Sequence, residues 1–431
     1  MKTDRKTLEK VWAKVDEKEL VSLAMELVST PSPTGSEEAA AKLLVNWLND
    51  RDIAAFYQEV EAGRGNVVGR LRGSGGGPTL MYNGHLDTAL SGDPQDILFA
   101  GRIKPEWKAS ARREGNLIYG SGIVNDKGPL CSALAAAHAL KKAGVTLKGD
   151  LVLTGVCGEI GRAPIDGYQG APYRGKGVGT RYLLTHGVVA DYAIVVEPSR
   201  MAITWAQAGA IFMKITVWGE AMYAPFVQHP EDLRKSKNAV VKMSTLIKPL
   251  EQWARRYEKE HAYRFGAGVL IPKVNVGSIV GGAPFKPNFS PGVCNLYVEA
   301  FTAPDQRSID VLRELEEVVN ESGVDADVES YLSVKGYESK EAQPLVEVMR
   351  DAYREVRKKS PKPIESELTS TYADLNILAE MGIPVIKCGP APDDPSLKPA
   401  TSEVQKIEDL VDATKMYVAA TLEVCNHLPV T

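Results

Sequence analysis

Apolar residues recur along this chain in short blocks that switch between two spacings. Residues 5–29 and 36–50 carry them three and four apart, the mark of amphipathic helices. Pro31-Ser32-Pro33-Thr34-Gly35 breaks the run, and Ser36 is placed to cap the second helix. Two strands are predicted at 54–60 and 66–71, ending in the glycine-rich turn "RGSGGGP". Continuous apolar stretches at 78–82, at 151–156 and within "ADYAIVVEPS" read as buried strands. An excursion rich in Pro, Gly and charge fills 89–116, and an alanine-rich helix opens at Asn125-Asp126-Lys127-Gly128-Pro129. Strands alternating with helices in this way predict an α/β fold with a mixed, mostly parallel sheet covered on both faces.

Between 213 and 333 the pattern changes. Strand "MKITVWG", a helix over 231–260, the hairpin "KVNVGSIVGG" with "VCNLYVEAFT", a helix over 305–322 and strand "DADVESYLS" give β-α-β-β-α-β. That order predicts an inserted ferredoxin-like α+β domain with its own antiparallel sheet. The expected division is 1–209 with 334–431 for the α/β domain and 210–333 for the insertion. The first domain resumes with a helix over 344–357 and closes with one from 407 to about 425. No internal repeat is visible.

Composition narrows the function. A chain of 431 residues suggests two or three domains at roughly 150 residues each. Charged residues make up 25%, the net charge is −4, and no long basic run offers nucleic acid a footprint. A small-molecule partner is expected instead. The N-terminal stretch "MKTDRKTLEKVWAKVDEKEL" lacks the apolar core of a signal peptide, and no stretch approaches about 18 apolar residues. A cytoplasmic protein without membrane contact is therefore expected. Five cysteines, scattered and never in Cys-x-x-Cys spacing, argue against a disulfide frame and a thiolate zinc site.

The candidate chemistry centres on His85 and Asp87 in "NGHLDT", at the C-terminal end of a predicted strand, where open α/β sheets bind ligands. An imidazole there can ligate a metal, and a carboxylate two residues on can hold the ring in the right tautomer. Alone, such a pair is more often a hydrogen-bonded loop. Three acids, Asp126, Glu159 and Glu197, each follow an apolar strand of their own, and Asp126 also stands where a helix cap would. Taken together, the four positions point to a coordinated metal.

The stretches "NGHLDT", "GIVNDKGP", "GEIG", "VVEPS", "NVGSIVGG" with Asn288 downstream, and "EMGIPVIKCGP" resemble the M20 family of metallopeptidases and amidohydrolases. That family includes glutamate carboxypeptidase, succinyl-diaminopimelate desuccinylase and aminoacylase. The resemblance covers nearly the whole chain and implies a metal-dependent exopeptidase-like catalytic domain plus a lid and dimerisation domain. It implies that His85 and Glu197 hold one metal, that Asp126 bridges to a second bound by Glu159, and that Asp87 supports His85. Zinc, sometimes manganese or cobalt, and homodimers paired through the lid domain are implied in the same way.

The departures from the family pattern shape the expected reaction. The family's general base precedes the metal-binding Glu; here that position is Gly158. Its last His ligand corresponds to Pro399, four residues before Glu403. Met222 stands where a lid His is expected, and Phe301 where an Arg is expected. With only Asp126 and Glu159 left to hold it, a second metal has too few ligands, which implies one metal on His85, Asp126 and Glu197 with an open position for water. Glu159 then remains nearby to accept that water's proton. His229 is weighed as a substitute for the lid imidazole against a helix-capping or surface role.

The expected activity is hydrolysis of a C–N bond other than an ordinary peptide bond, in a small anionic substrate. The bond is an amide or, since Met222 and Phe301 would suit an aromatic, an amine on an activated ring. Substrate contacts are expected from Met222, His229, Asn288 and Phe301, and a homodimer or larger homo-oligomer through the lid. The competing expectation is a catalytically inactive relative kept as a scaffold or binding protein.

Overall fold

A computed structural model describes residues 1–392 and 403–430. Its longer elements in chain order begin with α1 (Arg5–Trp12), α2 (Glu17–Ser29), α3 (Glu38–Asn49), β1 (Ala54–Glu61), β2 (Arg64–Leu71) and β3 (Leu80–His85). Next come α4 (Lys127–Lys142), β4 (Leu151–Val156), α5 (Val178–Thr185), β5 (Tyr192–Val195), β6 (Gly209–Trp218), α6 (Ala239–Glu260), β7 (Val274–Gly281) and β8 (Val293–Thr302). The series ends with α7 (Ser308–Ser322), β9 (Ala326–Val334), α8 (Gln343–Arg357), α9 (Leu375–Glu380), β10 (Val385–Lys387) and α10 (Ile407–His427).

Two compact units result. The first comprises Met1–Trp205, Glu338–Ile364 and Ala373–Thr431. Its six-stranded sheet runs β1-β2-β4-β3-β5-β10, with β4, β3, β5 and β10 parallel and β1 and β2 antiparallel at one edge. β3 and β4 are buried at every position, which explains why they are apolar throughout rather than alternating. The one hydroxyl β3 buries, on Tyr82, donates to the carbonyl of Tyr417 in α10 at 2.7 Å. Helices cover the sheet on the two faces, as the βαβ pattern predicts.

The second unit comprises Ala206–Tyr337 and Glu365–Tyr372, a returning segment that the sequence reading assigns to the other domain. Its antiparallel sheet runs β7-β8-β6-β9. β8 alternates strictly between buried and half-exposed positions. Its inward residues Cys294, Leu296, Val298 and Ala300 pack under Met243, Leu246, Leu250 and Trp253 of α6 and Val311 and Leu315 of α7. This is the ferredoxin-like arrangement the pattern predicts.

Local caps correct several boundaries. The helical run over 5–29 is two helices, because the Asp16 carboxylate accepts from the amides of Lys18 and Glu19 and starts α2 afresh. The helix predicted over 231–260 starts at Ala239, where Asn238 accepts from the amides of Val240 and Val241. The excursion over 89–116 is partly ordered: Arg112–Glu114 and Leu117–Tyr119 form a hairpin that Val404–Lys406 extends. All five cysteines are buried and free. Among the described residues no helix is long and apolar enough to cross a membrane.

Candidate metal and catalytic site

The site is assembled by three strand ends of the first unit and one helix start. His85 is the last residue of β3, Glu159 follows β4 by three residues and Glu197 follows β5 by two. Asp126 departs from expectation. It does not end a strand of the main sheet; it closes a loop that follows the small hairpin strand Leu117–Tyr119 and stands as the N-cap of α4. As a cap it is idle, because its side chain makes no capping bond. Its Oδ2 accepts instead from the His85 amide at 3.1 Å, and its buried Oδ1 has no hydrogen-bond partner. Glu403 holds the loop, its Oε2 accepting from the amides of Val124 at 2.7 Å and Asn125 at 2.9 Å. The Asn125–Asp126 peptide is cis.

The turn after β4 is gripped amide by amide. Cys157 donates to Asn66 Oδ1, Gly158 to Glu37 Oε1, Glu159 to Asp87 Oδ1 and Ile160 to Asp87 Oδ2, all at 3.0–3.1 Å. Thr34 Oγ1 also donates to Asp87 Oδ2 at 2.8 Å. The Asp87 carboxylate therefore fixes the Glu159 backbone as much as the imidazole. The His85 ring is oriented mainly by the Asp87 carbonyl, 3.1 Å from Nδ1, with Asp87 Oδ1 at 3.4 Å. This leaves Nε2 facing Asn125 Oδ1 at 3.2 Å and Glu159 Oε2 at 3.8 Å.

Gly158, at the position where the resemblance implies a base, has no room for a side chain. Its φ is +66°, and a Cβ there would lie 2.3 Å from Arg64 Nη2. That guanidinium is fully buried, donating to Glu37 Oε1 at 2.7 Å and to the carbonyls of Ala171 and Arg174. Burial first, then the Asp87 charge, push the Glu37 carboxyl up to about 7 against the pull of Arg64.

Electrostatically the site has more carboxylate than its surroundings compensate. Burial, and then the charge of Glu197, push Glu159 well above the usual carboxylate range. Burial also pushes Asp126 well up, with Glu197 adding to it and His85 opposing. Burial pulls the His85 imidazole down, but its bond to Asp87 and the charges of Glu159, Asp87 and Asp126 outweigh that and raise it well above the ordinary value. Among the described residues no three His, Cys, Asp or Glu side chains close on a single point. They are a set of donors and not a formed cage. The unpartnered Asp126 Oδ1 and the imidazole Nε2 are atoms of the kind a divalent ion takes as donors.

Residues 81–423 match the family model described as Peptidase family M20/M25/M40. The chain belongs to that family. Among curated M20 relatives, N-formyl-4-amino-5-aminomethyl-2-methylpyrimidine deformylase of Bacillus subtilis is 25% identical over 96% of this chain and 97% of its own. Succinyl-diaminopimelate desuccinylase of Hahella chejuensis is 23% identical over 86% of this chain and 88% of its own. These relatives are hydrolases, and the chain stands with them. The fold likewise matches the solved aminopeptidase PepT of Bacillus cereus with a TM-score of 0.67, at 20% identity over 95% of this chain and 99% of that one. M20 relatives of this kind imply a divalent metal.

Of the residues singled out in the sequence, His85, Asp87, Asp126, Glu159 and Glu197 are brought together in the first unit. Met222, His229, Asn288 and Phe301 lie in the second. Met222 pairs with Ser290, and the Asn288 carbonyl accepts from Ala224 at 2.9 Å, so these two share a corner beyond the end of β6 with exposed His229 nearby in sequence. Phe301 pairs with Ala210 at the opposite end of β6, and it packs against the cluster of Ala208, Leu270 and Ala303. The two ends are roughly 25 Å apart at 3.2–3.4 Å per residue. Pro399 lies outside the described residues.

Sequence reasoning missed Lys387, the last residue of β10. It is 2% exposed, and burial pulls its ammonium down while the charges of Glu197, Glu159 and Asp126 oppose that. The signal was present: a lysine inside the apolar strand "PVIKCGP".

Proposed function

We propose that this chain is a cytoplasmic, metal-dependent amidohydrolase that cleaves a C–N bond in a small, anionic, flat molecule, an N-acylated heteroaromatic amine being the first choice. The observation that carries this reading is the donor set His85, Asp126, Glu159 and Glu197, kept while Gly158 removes the usual base. The pyrimidine deformylase relative supports the substrate class, because its name joins an aromatic ring to a formyl amide. The five free cysteines are in keeping with a reducing compartment.

His85, Asp126 and Glu197 would hold one ion, zinc or manganese first and cobalt next. A divalent ion in such a site acidifies water and polarises a carbonyl. Glu159 takes the proton from the attacking water and returns it to the departing nitrogen. Its position suits it to that task, with Oε2 3.8 Å from the imidazole Nε2 of His85. Asp87 keeps the Glu159 amide and the His85 ring in place. Met222 and Asn288, with His229 nearby in sequence, are the proposed substrate contacts; Phe301, at the opposite end of β6, cannot reach the same small molecule from the same chain. Exposed Ile279 and Val280 on the edge strand β7, with exposed Phe285 and Phe226, support pairing of two chains through the second unit.

The test is the metal-stripped protein reloaded with zinc, manganese or cobalt and offered N-formyl, N-succinyl, dipeptide and aminoheteroaromatic substrates. Hydrolysis of a non-peptide amide is expected, and no rate with any pairing refutes the reading. Glu159→Gln should keep metal affinity while turnover falls roughly 10²- to 10⁴-fold. His85→Ala should abolish metal binding. The missing base also favours a second reading, an inactive binding protein, and a chain that never retains metal even with ligand present supports that one. Light scattering that shows only monomer at micromolar concentration removes the dimer.

A further inference from the structure

Lys387 stands at the C-terminal end of β10, in parallel register with Val195 of β5, which is in register with Asn83 of β3. Side chains of one sheet face recur every second residue, so Lys387 shares a face with Glu197, two past Val195, and with His85, two past Asn83. Its backbone is pinned. The Lys387 amide donates to the Thr204 carbonyl at 2.7 Å, and the next amide, of Cys388, donates to the Val195 carbonyl at 3.0 Å. The chain then passes so close to β5 that a Cβ on Gly389 would lie 1.7 Å from the Val196 carbonyl oxygen. Such an approach holds the lysine beside the turn that carries Glu197.

The ammonium is within electrostatic reach of Glu197, Glu159 and Asp126. A charge buried this deeply persists only where opposite charges compensate it. The carboxylates of Glu197, Glu159 and Asp126, all of the site, act on it in that sense.

We propose that Lys387 is an internal cation serving this site in place of a second metal: its ammonium offsets the Glu159, Glu197 and Asp126 carboxylates, so the chain takes at most one divalent ion. This rests on the metal-site reading above, and it explains how the donor set tolerates the loss of a further imidazole ligand. It also assigns Glu159 to the lysine's charge field and leaves it available for proton transfer.

The test separates the two ideas by beginning without metal. In the chelator-treated protein Lys387→Met should lower the melting temperature by about 5–10 °C. Lys387→Arg, which keeps the charge, should lose less than half as much. Adding Glu159→Gln to Lys387→Met should recover part of the loss, because it removes one uncompensated carboxylate. Equilibrium dialysis against zinc or manganese, with elemental analysis, should give no more than one ion per wild-type chain and tighter retention of that ion by Lys387→Met. A wild-type chain that takes no ion, beside a Lys387→Met chain that gains one, keeps the lysine's role and refutes the native metal site. Two ions in the wild type overturn the proposal, as does a Lys387→Met chain that holds its metal no more tightly than the wild type. A double variant no more stable than the single one also overturns it.

Discussion

The turn at 157–160 touches two buried charge clusters. Through Gly158 it meets Glu37 and Arg64, with Glu61 bonded to Arg64 and Arg174 bonded to Glu61. Through Glu159 it meets Glu197, His85, Asp374, Asp87 and Lys387, with Asp126 beside His85 and Glu197. In the first cluster two acids face two guanidinium groups. In the second, the five carboxylates of Asp87, Asp126, Glu159, Glu197 and Asp374 face one ammonium and an imidazole. Burial penalises Glu37 and Arg64 as it does the acids of the second cluster, while Arg174 is exposed, so the difference lies in the balance of charge. The first cluster is matched in charge, although Glu37 Oε2 and Arg64 Nε find no hydrogen-bond partner, and it fastens α3, β2 and the loop around Ala171–Arg174. The acidic one still lacks positive charge, the condition under which a site attracts a cation or a proton.

The sharpest way to break this comparison is to unbalance the matched cluster. Arg64→Met should lower stability by about 3–5 kcal/mol, the range for breaking a buried pair, measured by chemical denaturation. A loss under about 1 kcal/mol would show that the pair holds nothing together.

The pH dependence of stability sharpens it next. Glu37 is raised from 4.5 to about 7. Between those values the folded chain keeps a proton that the unfolded chain has released. Its contribution is thus complete below about pH 4.5 and is lost as pH rises through about 7, by roughly 3 kcal/mol at 1.36 kcal/mol per unit. Glu37→Gln should flatten that part of the stability profile, and an unchanged slope would assign it to another group.

Restoring the missing base is a smaller perturbation. Gly158→Glu places a Cβ against Arg64 in a left-handed backbone, so a loss of about 1–3 kcal/mol is expected with no gain in turnover. A more active Gly158→Glu enzyme would contradict the account of this turn. The smallest effect concerns the polar chain on the Lys387 face of the sheet. There Asn83 Nδ2 donates to Thr180 Oγ1, which donates to Asp374 Oδ2 at 2.6 Å. Thr180→Val should lower the unfolding midpoint by an amount worth about 1 kcal/mol.

How much of this was legible in the sequence depends on whether the signal was local. β3, β4 and the β-α-β-β-α-β order of the insertion stood out because an apolar strand or an alternating one declares itself within a few residues. The start of α6 was misplaced because a cap at Asn238 outweighs helical spacing before it. His85, Glu159 and Glu197 could be placed near strand ends by counting. Asp126 could not, since its position depends on Glu403 holding a loop from 277 residues away in sequence, counted from Asp126. Glu37 and Arg64 are far apart in sequence and share no period, so nothing local announces their pairing. Lys387 was overlooked because β10 is only three residues long.

The bond from the His85 amide to Asp126 Oδ2 turns one backbone proton into a spectroscopic indicator. In a nuclear magnetic resonance spectrum its chemical shift follows the charge on that carboxylate. Its exchange with deuterium quickens when the carboxylate is protonated or drawn toward a bound ion. Isotope labelling at this one histidine thus gives a substrate-free titration of the site's occupancy.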